Sequence, residues 1–272
     1  MLSLFNYELR SRWGAILGWS VALGLYGVLI LSLYPQFEDK MSVLNDMPFY
    51  KAMGIDFGSF EGFLASQLII NIPLMLGIYV IMSSTYTLAG EEDSGTLELL
   101  VTMPLKRWQV VTTKTFALVV VTLLIVTVAG ICSAVMLTSL NNIVSVDVTP
   151  AQLLLVILAG WPFTFAFLMM GLFLGAALPT RRIAVTFTTV IFVLNYVGEM
   201  VVNNVDALEF LKPVLLSHYL DTTAAVFNEG VNPKDVTILM AVGFVFYVLA
   251  LVSFQLRDIT VGQWPWQRAK AG

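Results

Sequence analysis

The sequence predicts an all-α, polytopic membrane protein with six transmembrane helices, forming one domain over residues 1–272. The first observation is its composition: 58% of the residues are hydrophobic and 12% are charged, whereas a soluble domain has about 45–50% and about 25%. So few charged side chains cannot cover the surface of a soluble protein of this size. The other observations are six long apolar segments and an uneven distribution of Lys and Arg.

Each of the six apolar segments is long enough to cross a hydrocarbon core of roughly 30 Å as a helix, which takes about 20 residues. Their continuous hydrophobicity favours helices over the alternating strands of a barrel. Only the fifth segment contains a charged residue, Glu199. The predicted spans are residues 14–33, 68–88, 115–137, 153–178, 183–202 and 236–256.

Two further segments are predicted to be helical without crossing the membrane. Residues 1–13 carry Phe5, Leu9 and Trp13 at helical spacing, which predicts an amphipathic helix on the membrane surface. Residues 205–227 are mostly apolar but are interrupted by Lys212-Pro213, so their pieces are too short to cross. We expect short re-entrant or interfacial helices there, before the last span.

The positions of Lys and Arg predict the orientation, because cytoplasmic loops are enriched in these residues. With both termini in the cytoplasm, ten of the 14 Lys and Arg residues fall on the inner side. We therefore expect a multi-pass protein of the plasma (inner) membrane with both termini cytoplasmic. The ten residues are Arg10, Arg12, Lys106, Arg107, Lys114, Arg181, Arg182, Arg257, Arg268 and Lys270.

Composition and motifs also exclude several functions. A net charge of -4 leaves no basic footprint for nucleic acid. The single cysteine, Cys132, and the single histidine, His218, provide neither a Cys or His metal cluster nor a pair for nucleophilic catalysis. The phosphate-binding motif G-x-x-x-x-G-K-[ST] is absent from the sequence. We expect no catalytic residue, metal site or cofactor in this chain.

The loop between the second and third spans concentrates charge, glycine and proline. Ser94 or Thr96 can cap a short helix there, and Pro104 would end it. Such a helix can either dock a partner or lie on the bilayer, although the acids of this loop are repelled by an anionic leaflet. Its apolar residues recur at helical spacing beside an acid: Leu97, Leu100, Val101 and Glu98.

This loop matches the pattern E-x-x-x-G-T-L-E-x-L-x-x-x-P-x-x-R, and it resembles that of the permease subunits of ABC-2 type ABC transporters. The matching residues are Glu91, Gly95, Thr96, Leu97, Glu98, Leu100, Pro104 and Arg107. The number of spans, the long first outer loop and the broken segment before the last span are similar as well.

The resemblance implies a half-transporter that pairs with a second permease copy or a paralogue in the lipid bilayer. Two cytoplasmic ABC ATPase subunits would hold ATP and Mg²⁺, and residues 91–104 would form the coupling helix. Leu97, Leu100 and Pro104 would shape its surface, while Glu91 and Glu98 would contact the ATPase. The chain would export a hydrophobic or amphiphilic substrate, such as a drug, peptide or lipid.

Two alternative functions stay open at this point. A gradient-driven secondary transporter would need intramembrane ionisable groups, and the spans offer one. A membrane assembly or sensor subunit would share the fold without transporting anything.

Polar residues inside the spans are candidates for a substrate pathway. Thr188, Asn195 and Glu199 fall on one face of the fifth span, and an ionisable residue inside a span often lines a path. Alternatively, Glu199 marks the outer membrane interface. Asn71, in the second span, is a further candidate, although bonding between helices explains it equally well.

Overall fold

The computed structural model describes residues 2–37, 59–90, 106–142, 146–220 and 226–256. Within these ranges the regular elements are helices, with no strand. Six helices are long and apolar enough to cross a membrane, which confirms the predicted fold class. They span Trp13–Gln36, Phe60–Gly90, Arg107–Leu140, Pro150–Ala177, Arg181–Val202 and Pro233–Leu256.

A separate helix, Leu2–Ser11, precedes the first span and is called the N-terminal helix below. Its buried side chains are Leu4 and Glu8. Phe5 and Leu9 are half-buried and Trp13, the first residue of the first span, is exposed, so an apolar face that lies on the membrane stays a prediction. Glu8 occupies the inward face because its carboxylate contacts a buried cation.

The second span begins at Phe60, eight residues before the predicted start, because Ser59 caps it by accepting a hydrogen bond from the Gly62 N–H at 3.0 Å. The span contains two π turns, Ala65–Ile69 and Tyr86–Gly90. Pro73 lies four residues after Ile69 and has no N–H to donate to the Ile69 carbonyl. The first π turn therefore ends at the residue whose carbonyl lacks its α-helical donor.

The second and fourth spans are the most buried and form the centre of the bundle. Glycine lets them approach closely, because a Cβ at Gly171 would collide with Ser84 Oγ and one at Gly175 would lie 3.3 Å from the Thr85 carbonyl oxygen. The sixth span packs along the fourth, and the first along the third. The fifth and sixth spans leave most of their surface exposed.

The bundle has two ends, which are named here for later use. The N-terminal face carries the N-terminal helix, the end of the second span and the start of the third. The far face carries the segment between the fifth and sixth spans. That segment contains the 3-10 helices Asp206–Val214 and Leu216–Tyr219 and the short α-helix Val226–Glu229, each too short to cross a membrane.

Candidate functional site

The loop predicted to couple the chain to a partner lies almost wholly outside the described residues. This applies to Glu91, Gly95, Thr96, Leu97, Glu98, Leu100 and Pro104. Arg107 is described and is half-buried at the first position of the third span. The structure therefore defines the two roots of the loop: residues 86–90, where the second span ends, and residues 106–114, where the third begins.

The root at the end of the second span is held by side chains of two other helices. Thr87 is fully buried and donates its hydroxyl to the Ser83 carbonyl at 2.7 Å. Arg12 Nη2 donates to Thr87 Oγ1 at 3.4 Å. One residue earlier, the Arg181 guanidinium lies over the Tyr86 ring, 4.9 Å from its centroid, within cation–π range. This root is therefore fixed before the loop begins.

The root at the start of the third span is held by the N-terminal helix. Lys106 precedes this span, and its backbone N–H donates to Gln109 Oε1 at 2.9 Å. Lys114, two turns further along, is 1% exposed, and its ammonium donates to Glu8 Oε1 at 2.5 Å. An ammonium buried to this degree requires a carboxylate partner, because an unpaired charge loses its hydration without compensation.

Glu8 joins the two roots through its two carboxylate oxygens. Oε1 accepts the hydrogen bond from Lys114, and Oε2 accepts one from Arg12 Nη2 at 3.3 Å. Arg12 in turn reaches Thr87 on the second span. We call Glu8, Arg12, Thr87 and Lys114 the root cluster. It holds two cations and one carboxylate, and it ties both ends of the loop to the N-terminal helix and to Arg12, in the turn that follows this helix.

The sequence alone predicts a part in membrane orientation for Arg12 and Lys114, and no role for Glu8. One indication was available: Glu8 lies four residues after Leu4, within one stripe of the N-terminal helix. Lys114 similarly follows an otherwise uncharged turn of an apolar helix. Neither pattern identifies the partner, since Glu8 and Lys114 are 106 positions apart.

The predicted pathway residues of the fifth span face the interior of the bundle. Thr188 is fully buried and donates to the Ala184 carbonyl at 2.7 Å. Asn195 is also buried, and its Oδ1 accepts a hydrogen bond from the Ser217 N–H at 2.8 Å. The Ser217 hydroxyl donates to the Asn195 carbonyl at 2.9 Å. These paired bonds fasten the 3-10 helix Leu216–Tyr219 to the fifth span.

The other two candidates occupy different surroundings. Glu199 lies one turn beyond Asn195 and is partly exposed towards the far face. Asn71 donates its amide N–H groups to the carbonyls of Ser66 and Gln67 at 3.1 and 2.9 Å. The Tyr26 hydroxyl donates to the same Gln67 carbonyl at 2.8 Å. Asn71 thus stabilises the first π turn, and a pathway role for all four residues stays a prediction.

Within the described ranges, no group of three or more His, Cys, Asp or Glu residues is arranged to hold a metal ion. At the N-terminal face, the charged side chains of the root cluster lie close together. Each of them bonds another protein side chain, so the cluster attaches the helices to one another.

Comparison with known families gives one match that covers most of the chain. The sequence profile of the family described as ABC-2 family transporter protein matches residues 5–259. A comparison with curated proteins returns no matching relative. The matched range includes the N-terminal helix from Phe5, all six spans and the loop whose roots are described above.

Proposed function

The chain belongs to the ABC-2 transporter family, and from this premise we propose that it is the permease subunit of an ATP-driven exporter. Its family and its six apolar helices make it a multi-pass membrane protein with a role in transport. The proposal adds the energy source, the direction and the substrate class, which is hydrophobic or amphiphilic.

The root cluster is the observation that carries the proposal. A force applied to residues 91–105 reaches the second span through residues 86–90 and the third span through residues 106–114. Glu8 and Arg12 connect these two roots. Loop displacement would therefore move both spans together with the N-terminal helix as one body, as in rigid-body switching between two packed states. Such a linkage suits a loop on which a partner acts mechanically.

The partner in this proposal is a cytoplasmic ABC ATPase, which ABC-2 permeases normally work with. Two ATPase subunits per complex would supply ATP and Mg²⁺, because the sequence lacks a P-loop of its own. Residues 91–104 would form the coupling helix, with Glu91 and Glu98 facing the ATPase. This places the N-terminal face in the cytoplasm and the far face outside the plasma membrane, in agreement with the distribution of Lys and Arg.

A second permease, either a copy or a paralogue, would complete the transporter. The fifth span supports this part of the proposal, since one of its faces exposes large apolar side chains while the other carries Thr188 and Asn195. A substrate path between two permeases would be lined by such apolar surfaces, which suit drugs, lipids or apolar peptides. The exposed residues include Phe187, Val190, Leu194, Val197 and Val201.

The proposal is tested by reconstituting the chain with its ATPase in proteoliposomes and supplying lipophilic dyes. ATP-dependent dye movement that persists when ionophores collapse all ion gradients is the expected result. Dye movement that stops with the gradients and ignores ATP would instead identify a gradient-driven carrier. ATP hydrolysis without movement of any dye, lipid or peptide would favour an assembly or sensor subunit.

A further inference from the structure

The bonds that define the root cluster join the second span, the third span and the N-terminal helix. The predicted pathway residues Thr188, Asn195 and Glu199 lie instead on the fifth span. A movement of the loop between the second and third spans therefore needs a separate contact to reach them.

The fifth span is joined to the fourth by a link of three residues, 178–180. Leu178 and Thr180 have extended backbone, so the helical geometry is interrupted between the two spans. The fifth span also leaves most of its surface exposed. Because neither a continuous helix nor broad packing fixes its angle, a few side-chain contacts determine how the fifth span lies against the bundle.

Two contacts between the second and fifth spans lie at different depths. Phe192 is buried, and a Cβ added at Gly77 of the second span would collide with its ring. This ring also meets that of Phe167 edge-on, with 4.8 Å between the centroids. The other contact is at the N-terminal face, where the Arg181 guanidinium lies over the Tyr86 ring. Arg181 and Phe192 are 11 positions apart, which is about 16 Å of helix.

Tyr86 is part of the root of the loop. It is the first residue of the π turn Tyr86–Gly90, and a Cβ added at Gly90 would collide with its ring. Gly90 is the last described residue before the loop. A displacement of the loop would therefore reach the Tyr86 ring through Gly90. The ring in turn contacts Arg181, the first residue of the fifth span.

The position of Arg181 makes the ring a suitable partner. A cation in the first turn of a helix meets the positive end of the helix dipole, which is unfavourable. The Tyr86 ring offsets this cost, because its electron-rich face lies 4.9 Å from the guanidinium carbon. Arg182, the next residue, is exposed and carries the same charge. It therefore provides a matched control for Arg181.

We propose that Arg181 and Tyr86 transmit the movement of the loop to the fifth span, which turns about the Phe192 contact. This inference rests on the proposed transport function, and Arg181 is a positioning residue that acts through the fifth span. Asn195 lies beyond the Phe192 contact, so it moves in the opposite direction to Arg181. The far-face segment follows, because Ser217 is bonded to Asn195.

The test weakens the contact between ring and cation while keeping the shape of the ring. Tyr86→Phe is the reference, and phenylalanines with one, two and three ring fluorines are then placed at position 86. Each fluorine withdraws electrons from the ring face and so weakens its attraction for a cation. The chain is reconstituted with its ATPase in proteoliposomes, and the dye moved per ATP hydrolysed is measured. We expect this ratio to fall in steps, by about threefold or more with three fluorines.

Hydrogen exchange in the chain alone provides a measurement that does not depend on transport. The N–H groups of residues 184–187 are in the first turns of the fifth span. Their exchange should accelerate in the same steps, by about threefold or more, as the contact that holds this end weakens. Exchange at residues 192–195 should stay constant, because the Phe192 contact is unaltered.

Two substitutions separate the ring–cation contact from a general need for positive charge. Arg181→Gln removes the cation under the ring, so the fluorines should have no effect on the ratio or on exchange in that background. Arg182→Gln removes the exposed neighbouring cation, and the stepwise fall of the ratio should persist. Co-purification of the ATPase with each variant shows that the complex is assembled.

The inference is overturned if the ratio stays at the reference value throughout the series, or if it falls equally in the Arg181→Gln background. Faster exchange with a constant ratio also contradicts it, because the contact would then hold the helix without transmitting movement. A failure of the transport proposal is distinct, since the wild type and Tyr86→Phe would then move no dye with ATP. That result would remove the transmission role even where exchange follows the series.

Discussion

Glu8 and Lys114 form a buried ion pair with 2.5 Å between Oε1 and Nζ, joining the N-terminal helix to the third span. Their side chains are 5% and 1% exposed, so neither charge is hydrated. Arg12 extends the pair to Thr87 on the second span. Because a buried charge is tolerated only with its partner in place, these contacts specify where the N-terminal helix docks.

The first prediction concerns the carboxylate of this pair. Glu8→Gln removes the carboxylate charge that Lys114 and Arg12 both contact, and removing one member of a buried pair costs about 3 kcal/mol or more. We expect hydrogen exchange of residues 2–11 to accelerate by about two orders of magnitude as the helix undocks. Arg10→Gln, an exposed change on the same helix, is the control and should leave exchange unaltered.

The ion pair itself is isolated by a double substitution. Adding Lys114→Met to Glu8→Gln removes both members of the contact between Glu8 and Lys114, so the combined effect on exchange should be clearly smaller than the sum of the two single effects. Strict additivity would show that Glu8 and Lys114 contribute separately, and the root cluster would then not act as a unit.

The second prediction concerns the attachment of the far-face segment. Asn195→Leu leaves the buried Ser217 N–H without its acceptor, which costs about 1–3 kcal/mol. We expect faster hydrogen exchange at residues 216–219, with Asn203→Leu, at the exposed position that follows the same helix, as the control. If Asn195 lines a substrate path instead, transport will change while exchange at residues 216–219 stays as in the wild type.

The third prediction tests the close approach of the second and fourth spans. Gly171→Ala places a Cβ against Ser84 Oγ, and overpacking of this kind costs about 1–3 kcal/mol. The melting temperature in detergent should fall, and Ser84→Ala should recover part of the loss by removing the hydroxyl oxygen. Gly18→Ala is the control, since no atom lies within 4 Å of its added Cβ. An equal fall in melting temperature for Gly171→Ala and Gly18→Ala would show that the effect does not depend on the contact with Ser84.

The fourth prediction addresses Glu199 at the far end of the polar face. If this carboxylate lines the path, Glu199→Gln should reduce transport several-fold without changing membrane insertion or assembly. The measurement is substrate-stimulated ATP hydrolysis in proteoliposomes beside a Western blot of the inserted protein. Unaltered hydrolysis would support the alternative that Glu199 marks the membrane interface.

The lengths of the hydrophobic segments predict the spans. They do not predict contacts between residues that are distant in sequence. The second span starts earlier than predicted because Glu61 and Gln67 lower its hydropathy, yet the Ser59 cap extends the helix through them. Helical spacing predicts that Thr188 and Asn195 share one face, and both side chains are buried. It does not reveal Ser217, whose pairing with Asn195 depends on how the chain returns after the fifth span.

The same limit applies at the N-terminal face. Amphipathic spacing predicts a helix on the membrane surface. The structure contains a helix, Leu2–Ser11, whose inward face holds a carboxylate, and its position on the membrane stays a prediction. Burying the Glu8 carboxylate is favourable only because Lys114 of the third span lies beside it. Because tertiary pairing offsets the cost of burying a charge, a hydrophobicity pattern within one helix cannot detect it.

The most direct test of the account is whether an ABC ATPase accompanies this chain and depends on Glu98. The chain is purified in mild detergent from its native membrane, and subunits containing a P-loop are quantified by mass spectrometry. The control is Glu209→Arg, a charge reversal at an exposed acid on the far face, where a surface ion pair contributes little.

We expect a P-loop ATPase at about one copy per permease with the wild type and with Glu209→Arg, and at least about tenfold less with Glu98→Arg, the equivalent of 1.4 kcal/mol. The contradicting result is the absence of any such ATPase under conditions that preserve other membrane complexes, or its equal recovery with all three proteins. Absence of the ATPase would contradict the ATP-driven mechanism. Equal recovery of the ATPase with all three proteins would show that Glu98 is not part of the docking surface.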